Sequence, residues 1–447
     1  LVASSQNCWA SVDHDFGAVA GLMSPLLGAG FYYKTFMAPQ GAWTFYEKMI
    51  RRAAGLGRAT EGLDPETYEH RHAQCDVLII GAGPAGLAAA QRLAGSGMRI
   101  MLCDERRQPG GALQTTSETI DGAPGSVWAH AAAESLGSSG DTTVLQHATA
   151  VWLVDHGLVT IAQRLGAGIP VAQRLWFVRA RHIIVATGAI ERPLCFSGND
   201  RPGVMLSSAA GAYRRRYGVA VGSRAVVHAN NDSGYNCLVE LGAAGIDVAA
   251  VVDLRPAARI GDGARERAGT IPIHADSRVA RTSGRIRLQH VAVASHGEAD
   301  PRCSFDADLL CVAGGWSPTV HLLAHRGTPA QFDPDAAAFL AQAKEDHLEL
   351  AGSAAGITDL AACLESGFRA AENALAKLGL EATARAVEQS VVSDVLPPGN
   401  LDGPWCSAQG TKRRRKAFVD LQNDVTAADL ESAIAEGYDA VEHLKRY

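Results

Sequence analysis

An α/β fold is what this sequence predicts: two strand–helix–strand domains, the second inserted in the first, followed by a small C-terminal helical domain. Three observations carry it. Residues 75–105 read CDVLIIGAGPAGLAAAQRLAGSGMRIMLCDE: an apolar strand, a glycine-rich turn, a helix-forming run, and a second strand ending in acid. Residues 223–253 repeat that order as SRAVVHANNDSGYNCLVELGAAGIDVAAVVD. Residues 180–190 (ARHIIVATGAI) and 308–318 (DLLCVAGGWSP) read as buried strands running into turns of small residues. The expected division is an N-terminal aromatic-rich segment (1–70), a first domain (71–217, completed by 345–385), a second domain (218–344), and a linker with the helical domain (386–447).

The first unit has the Rossmann order, and each part has a physical task. Val77 to Ile80 is the strand, and Gly81, Gly83 and Gly86 follow in the G-x-G-x-x-G spacing. Gly81 allows the tight turn, Gly83 lets a pyrophosphate approach the backbone, and Gly86 lets the helix pack on the strand. Ala82, Pro84 and Ala85 fill the turn between them. The helix over 87–93 offers free N–H groups and a partial positive charge at its start. The second strand, 99–103, ends at Asp104 and Glu105, placed to accept from an adenosine ribose. Two carboxylates there disfavour a 2′-phosphate, so NADP is not expected, while NAD and FAD share the feature. Arg106 follows, and Gly110-Gly111 suits a loop passing close to a bound dinucleotide. A strand over 144–154 offers backbone near Val151 to an adenine. The ATGA end of residues 180–190 brings Thr187 and Gly188 up to the nucleotide.

The second unit keeps the order and loses the glycines. Ala229 and Asn231 stand at the first two glycine positions, and only Gly234 remains. A side chain at Asn231 obstructs pyrophosphate approach, so the fold is expected without ordinary NADPH binding. Residues 351–371 read as a turn into a long helix whose start faces the cofactor. Residues 397–416 are loop-like. Near the C-terminus Thr426 reads as an N-cap with Asp429 in the first helical turn, and a second helix is expected over 437–446. Residues 1–70 carry GFYYKTFM (30–37), then Trp43, Phe45 and Tyr46, then a helical stretch over 46–54. So many aromatics imply packing on another surface, either the rest of this chain or a partner.

The 447 residues suffice for two or three domains. A net charge of −6 gives no electrostatic reason to expect nucleic acid or anionic membrane; the run KRRRK (412–416) reads as a solvated loop. Nine scattered cysteines form no CxxC pair, which fits a reducing, cytoplasmic setting. No apolar run approaches the roughly 18 residues of a membrane span. Leu1 is followed by no basic and apolar leader, so no signal peptide is expected. No acid, base or nucleophile stands out as catalytic, and no metal site does. His228, His321 and His325 read as structural.

The stretches GFYYKTFM, the 81–86 fingerprint, ATGAIERP (186–193), NNDSGY (230–235), GGWSPTVHL (314–322), LAACLESG (360–367) and FVDLQNDVTAADL (418–430) resemble the α subunit of heterotetrameric sarcosine oxidase. The resemblance implies two FAD/NAD(P)-binding, glutathione-reductase-like domains. The family's α chain is longer, with a ferredoxin-like domain before this region and a folate-binding domain after it. The resemblance further implies NAD in the first domain and FMN at the interface with the β subunit. FAD belongs to the β subunit, tetrahydrofolate to a domain absent here, and γ and δ subunits complete the assembly. It assigns NAD to Gly81, Gly83, Pro84, Gly86, Asp104, Glu105, Gly110, Gly111, Val151, Thr187 and Gly188, with Ala82, Ala85 and Arg106 in the same loops. The implied reaction is oxidation of a CH–NH donor: sarcosine gives glycine, hydrogen peroxide, and formaldehyde or methylene-tetrahydrofolate. The α chain alone is expected to be inactive.

Three other readings stand beside this one. A disulfide reductase needs a cysteine pair by the flavin, but ALQTT follows Gly110-Gly111, and Cys237 has no CxxC partner. An opine, proline or hydroxyproline dehydrogenase subunit of the iron–sulfur type needs clustered cysteines, and Cys406 is isolated. A non-catalytic nucleotide-binding scaffold remains open.

Overall fold

The computed structural model describes residues 41–53, 66–166, 168–298, 300–324, 326–380, 389–399, 417–438 and 440–444, with isolated positions between 10 and 64. The chain divides into two compact units, Leu1–Glu66 and Thr67–Tyr447. In the first, helix α1 (Trp43–Ala53) begins three residues before the expected helical stretch. The rings of Phe45 and Tyr46 meet edge to face at 6.0 Å. Phe31, Tyr32, Tyr33 and Phe36, the KRRRK run, Cys406 and His325 lie outside the described residues.

The second unit opens with β1 (Thr67–Ile80), followed by helix α2 (Pro84–Leu93) and β2 (Ile100–Cys103). Helix α3 (Gly125–Ser138), β3 (Thr142–Leu145), β4 (Ala148–Val154), β5 (Leu158–Arg164) and β6 (Val171–Val185) follow. These six strands make one sheet in the order β3-β2-β1-β6-β5-β4, and Leu348–Leu350 joins it beside β6. Pairing is parallel from β3 through β6 and at Leu348–Leu350. It is antiparallel in the β4–β5–β6 meander. Alternation in β1 sends Val77 and Ile79 into one core cluster with α2 and α3, and Leu78 and Ile80 into another on the opposite face.

The elements differ in extent from the sequence reading. β1 starts ten residues before Val77, because the mostly polar run Thr67 to Gln74 pairs along residues 171–179 of β6 and has no hydrophobic pattern of its own to announce it. The strand expected over 144–154 is two strands, broken at His147, whose φ is 56°. The strand expected over 180–190 begins at Val171 and ends at Val185; Ala189–Glu191 is a separate crossover strand. It pairs antiparallel with Trp316–Pro318, the return crossover from the inserted domain.

The inserted domain holds β7 (Val204–Leu206), helix α4 (Ser207–Tyr217), β8 (Arg224–Ala229), helix α5 (Asn236–Ala243), β9 (Asp247–Asp253), β10 (Ile273–His274) and β11 (Leu309–Ala313). Its sheet runs β7-β11-β8-β9-β10, parallel throughout. An antiparallel sheet (Ser277–Ser283, His290–Ser295, Cys303–Asp306) follows β10 in the chain. Two Rossmann-like domains, the second inserted in the first, are thus present.

Helix α6 (Leu360–Lys377) returns to the first domain. Phe418–Asp420 and Val425–Thr426 then pair as a short hairpin. Helix α7 (Ala427–Ala435) starts on the Thr426–Asp429 capping box, so the N-cap reading holds. The second helix is described only over Val441–Leu444. Among the described residues no helix is long and apolar enough to cross a membrane.

Candidate nucleotide-binding site

The β1–α2 turn is built by close backbone contacts. Gly81 has φ 108°, and a Cβ there would lie 2.2 Å from the Ala186 carbonyl oxygen. A Cβ on Gly86 would lie 1.8 Å from the Gly81 oxygen, which is the close helix–strand packing its position demands. Gly83 is different: its φ is −75°, and a Cβ would meet nothing within 4 Å. It faces open space at the N-cap of α2, with Pro84 in the first turn. First-turn amides of a helix have no intrahelical acceptor, so this open space is chemically able to admit an anionic group such as a pyrophosphate.

The remaining candidates fall into two groups. Asp104, Arg106, Gly110 and Gly111 converge on the turn. One Asp104 oxygen accepts from the Ala82 amide and the other from the Arg106 amide, each at 2.7 Å. Burial raises the Asp104 pKa above the ordinary carboxylate value against the pull of those two bonds. The Gly110 amide donates to the Ala82 carbonyl at 2.7 Å, and a Cβ on Gly111 would sit 3.1 Å from the Gly83 Cα. The Arg106 guanidinium donates to the Gly111 carbonyl at 3.3 Å. Glu105 is exposed. Thr187 and Gly188 follow Ala186 at the end of β6, where the Thr187 hydroxyl donates to the Thr319 carbonyl at 2.6 Å. Val151 stands apart, exposed on β4. The residues held beside the end of β2 are instead His147 and Ala148, whose amides donate to the Arg106 and Asp104 carbonyls.

Sequence reading missed what supports the turn from behind. A Cβ on Gly367 of α6 would lie 1.9 Å from the Ala85 oxygen, and one on Gly352 would lie 2.8 Å from the Ala85 Cβ. Both glycines let α6 and the turn before it press on the first turn of α2. The LAACLESG stretch contains Gly367 but gives no sign of its partner.

The corresponding region of the second domain is filled. Asn231 is fully buried; its side-chain Nδ2 donates to Asn230 Oδ1 at 2.9 Å and to the Ala313 carbonyl at 3.1 Å. Asp253, at the end of β9, accepts from the Tyr235 hydroxyl and pairs with fully buried Arg255, both at 2.8 Å. Arg255 also pairs with Asp232 at 2.8 Å.

Cys237 has a neighbour that spacing does not reveal. Contact with Cys311, followed by burial, pushes its thiol well above the ordinary range. Both cysteines are buried in the core, which makes them poor nucleophiles. His228 is fully buried and stacks edge to face on Phe196, while His321 is exposed on a short helix. Among the described residues no group of three or more His, Cys, Asp or Glu could hold a metal ion.

Comparison with known proteins matches residues 75–335 to the pyridine nucleotide-disulphide oxidoreductase family and residues 414–447 to the sarcosine oxidase A3 domain. Sarcosine oxidase subunit alpha of Rhizobium meliloti (strain 1021) is 42% identical over 455 residues, covering 100% of this chain and 45% of that protein. The subunit alpha of Corynebacterium sp. (strain P-1) is 38% identical over 88% of this chain and 42% of its own length. The chain thus spans less than half the length of these two relatives. The L-proline dehydrogenase structure from P. horikoshii shares the fold, with TM-score 0.61 and 20% identity over 87% of this chain and 72% of that one.

Proposed function

The chain belongs to the pyridine nucleotide-disulphide oxidoreductase family, and on that premise we propose that it is the nucleotide-binding part of the α subunit of a sarcosine oxidase. The observation that carries the proposal is end-to-end similarity to subunit alpha, 42% over the whole chain. The first Rossmann turn adds physical support. Its open face at Gly83 fits a pyrophosphate, and the carboxylate of Glu105 is free to meet a ribose.

In this reading NAD lies along Gly81, Gly83, Pro84, Gly86, Glu105, Gly110, Gly111, Thr187 and Gly188. Asp104 holds the turn in shape, and Val151 is a more distant member. The bound dinucleotide supplies a nicotinamide able to take up hydride. The protein's own residues bind and orient it: the first turn of α2 meets the phosphates, and Gly111 keeps the loop after β2 clear of them. FMN is assigned to the interface with a β subunit and FAD to that subunit, with γ and δ subunits completing the assembly. No residue of this chain is assigned to tetrahydrofolate. The overall reaction is oxidative demethylation of sarcosine to glycine, the methyl carbon leaving as formaldehyde or methylene-tetrahydrofolate and oxygen being reduced to hydrogen peroxide. The division expected from the sequence, 1–70, 71–217 with 345–385, 218–344 and 386–447, belongs to the same proposal with two shifts that the sheets require. Residues 67–70 go to the first domain and residues 204–217 to the inserted one. A cytoplasmic setting is proposed with it.

The experiment is mass spectrometry of nucleotide released by denaturing the purified chain, with a sarcosine-dependent peroxide assay alongside. NAD and no peroxide without a partner are expected. Release of FAD overturns the cofactor assignment, and peroxide from the chain alone overturns the assignment of the active flavins to the partner.

A further inference from the structure

Residues 389–399 cross from one Rossmann-like domain to the other. At the first domain, Val391 and Val392 pair antiparallel with Ile120 and Thr119. The Ser390 amide donates to Asp121 Oδ1 at 2.9 Å, and the Asp121 amide returns a bond to the Ser390 carbonyl at 2.8 Å. The Ser393 hydroxyl donates to Glu118 at 2.8 Å, and the Ser117 hydroxyl to Asp394 at 2.7 Å. This end is therefore stitched into the loop between β2 and α3.

The other end lies on the second domain at the place where a Rossmann fold takes a dinucleotide: the turn after its first strand and the start of the following helix. Asn236, the first residue of α5, grips Leu396 from both sides. Its Nδ2 donates to the Leu396 carbonyl, and its Oδ1 accepts the Leu396 amide, each at 2.9 Å. The Leu396 side chain packs into the core cluster of this domain. The Asp232 amide, in the turn between β8 and α5, donates to the Pro398 carbonyl at 2.9 Å. That amide belongs to the set a pyrophosphate would need, and a peptide oxygen already has it. Arg267 adds bonds to Asn236 and to the Asp394 carbonyl. Deeper in, the acid that would meet a ribose, Asp253, is committed to Arg255 and Tyr235.

We propose that residues 390–399 are a permanent strap that fills the dinucleotide crevice of the second domain and ties it to the first. The chain then takes a dinucleotide in its first domain only, and the two domains do not rotate against each other. Loss of the glycines at positions 229 and 231 thereby acquires a structural counterpart: the turn no longer approaches a phosphate because it binds its own chain. The inference rests on these contacts and not on which nucleotide the first domain holds.

Amide hydrogen exchange read by mass spectrometry tests it, on the full chain in the assembly in which it purifies. Peptides covering Asp232 and Leu396 should be protected roughly a hundredfold or more over unstructured chain, because each amide is bonded and partly buried. Millimolar NADH or NADPH should change neither. Asn236→Ala should raise exchange at Leu396 and Asp232 by roughly tenfold or more while leaving first-domain peptides unchanged. Strap amides exchanging at unstructured rates in the wild-type chain overturn the proposal. So does NADH or NADPH slowing exchange at Asp232 while exposing Leu396. The wild-type arms decide even if the variant does not fold. None of these readouts moves if the released nucleotide proves to be FAD or if the oxidase assignment fails.

Discussion

Gly81, Gly83 and Gly86 stand in one motif, yet each lacks a side chain for its own reason. At Gly81 and Gly86 the obstacle is the protein's own backbone, with Cβ-to-oxygen distances of 2.2 and 1.8 Å. At Gly83 there is no obstacle within the chain, and its extended ψ of −175° suits any residue. The three substitutions should therefore separate. Gly83→Val is expected to leave the thermal unfolding profile near that of the wild type while nucleotide no longer co-purifies. Gly81→Ala should lose the fold, since neither the φ of 108° nor the Ala186 oxygen can yield cheaply. Differential scanning fluorimetry with nucleotide content measured on the same samples decides; equal destabilisation by both variants would mean that the space at Gly83 is not open. Asp104 is a similar refinement at this scale. It is read from the sequence as the ribose partner, but its oxygens hold the Ala82 and Arg106 amides, which leaves Glu105 as the exposed carboxylate.

At the scale of elements, α2 is positioned by α6 through Ala85 and Gly367, where a single methyl group would collide with backbone. The inserted sheet has a comparable tight spot in β8. There His228 is fully buried, its Nδ1 sits 3.1 Å from the Val252 carbonyl, and Phe196 covers the ring. Burial holds its pKa down at about 4, below the ordinary 6.5. A folded-state pKa below the unfolded one means that the neutral ring favours folding. That contribution is present in full above about pH 6.5 and is lost as pH falls toward 4. Between pH 7 and 5 the loss should be about 2 kcal/mol for this residue. His228→Gln, which does not titrate, should flatten the pH dependence of urea unfolding across that interval. An identical slope in variant and wild type would remove His228 as its source.

For the whole molecule, the question is how distant segments are held to the two Rossmann-like domains. Asn199 does this for the C-terminal hairpin. Its Nδ2 donates to the Phe418 carbonyl and its Oδ1 accepts the Phe418 amide, both at 2.8 Å and both buried. Losing that side chain removes two buried hydrogen bonds to the Phe418 backbone, worth about 0.5–1.5 kcal/mol each. Asn199→Ala should therefore make residues after 417 sensitive to limited proteolysis, with nucleotide content in the first domain unchanged. A cleavage pattern like that of the wild type would show that the hairpin is held by something other than Asn199. The strap at 390–399 is the larger instance of the same device, with side-chain amides gripping a passing backbone.

What the sequence determined by itself is what neighbours along the chain decide. The Rossmann turn after β1, its helix and the acid after β2 follow from spacing within about 25 residues. The Thr426–Asp429 capping box is local, and it forms as read. The missing glycines at Ala229 and Asn231 were legible for the same reason. Tertiary structure alone decided the pairings that join residues far apart. Polar β1 residues find β6 about a hundred positions later. Gly367 finds Ala85, Cys237 finds Cys311, and Asn236 finds Leu396. None of these has a sequence signature, because a hydrogen bond or a close backbone approach depends only on where two groups meet. Nothing in the sequence marks the loop 115–121 or the start of α5 as the places to which the chain returns.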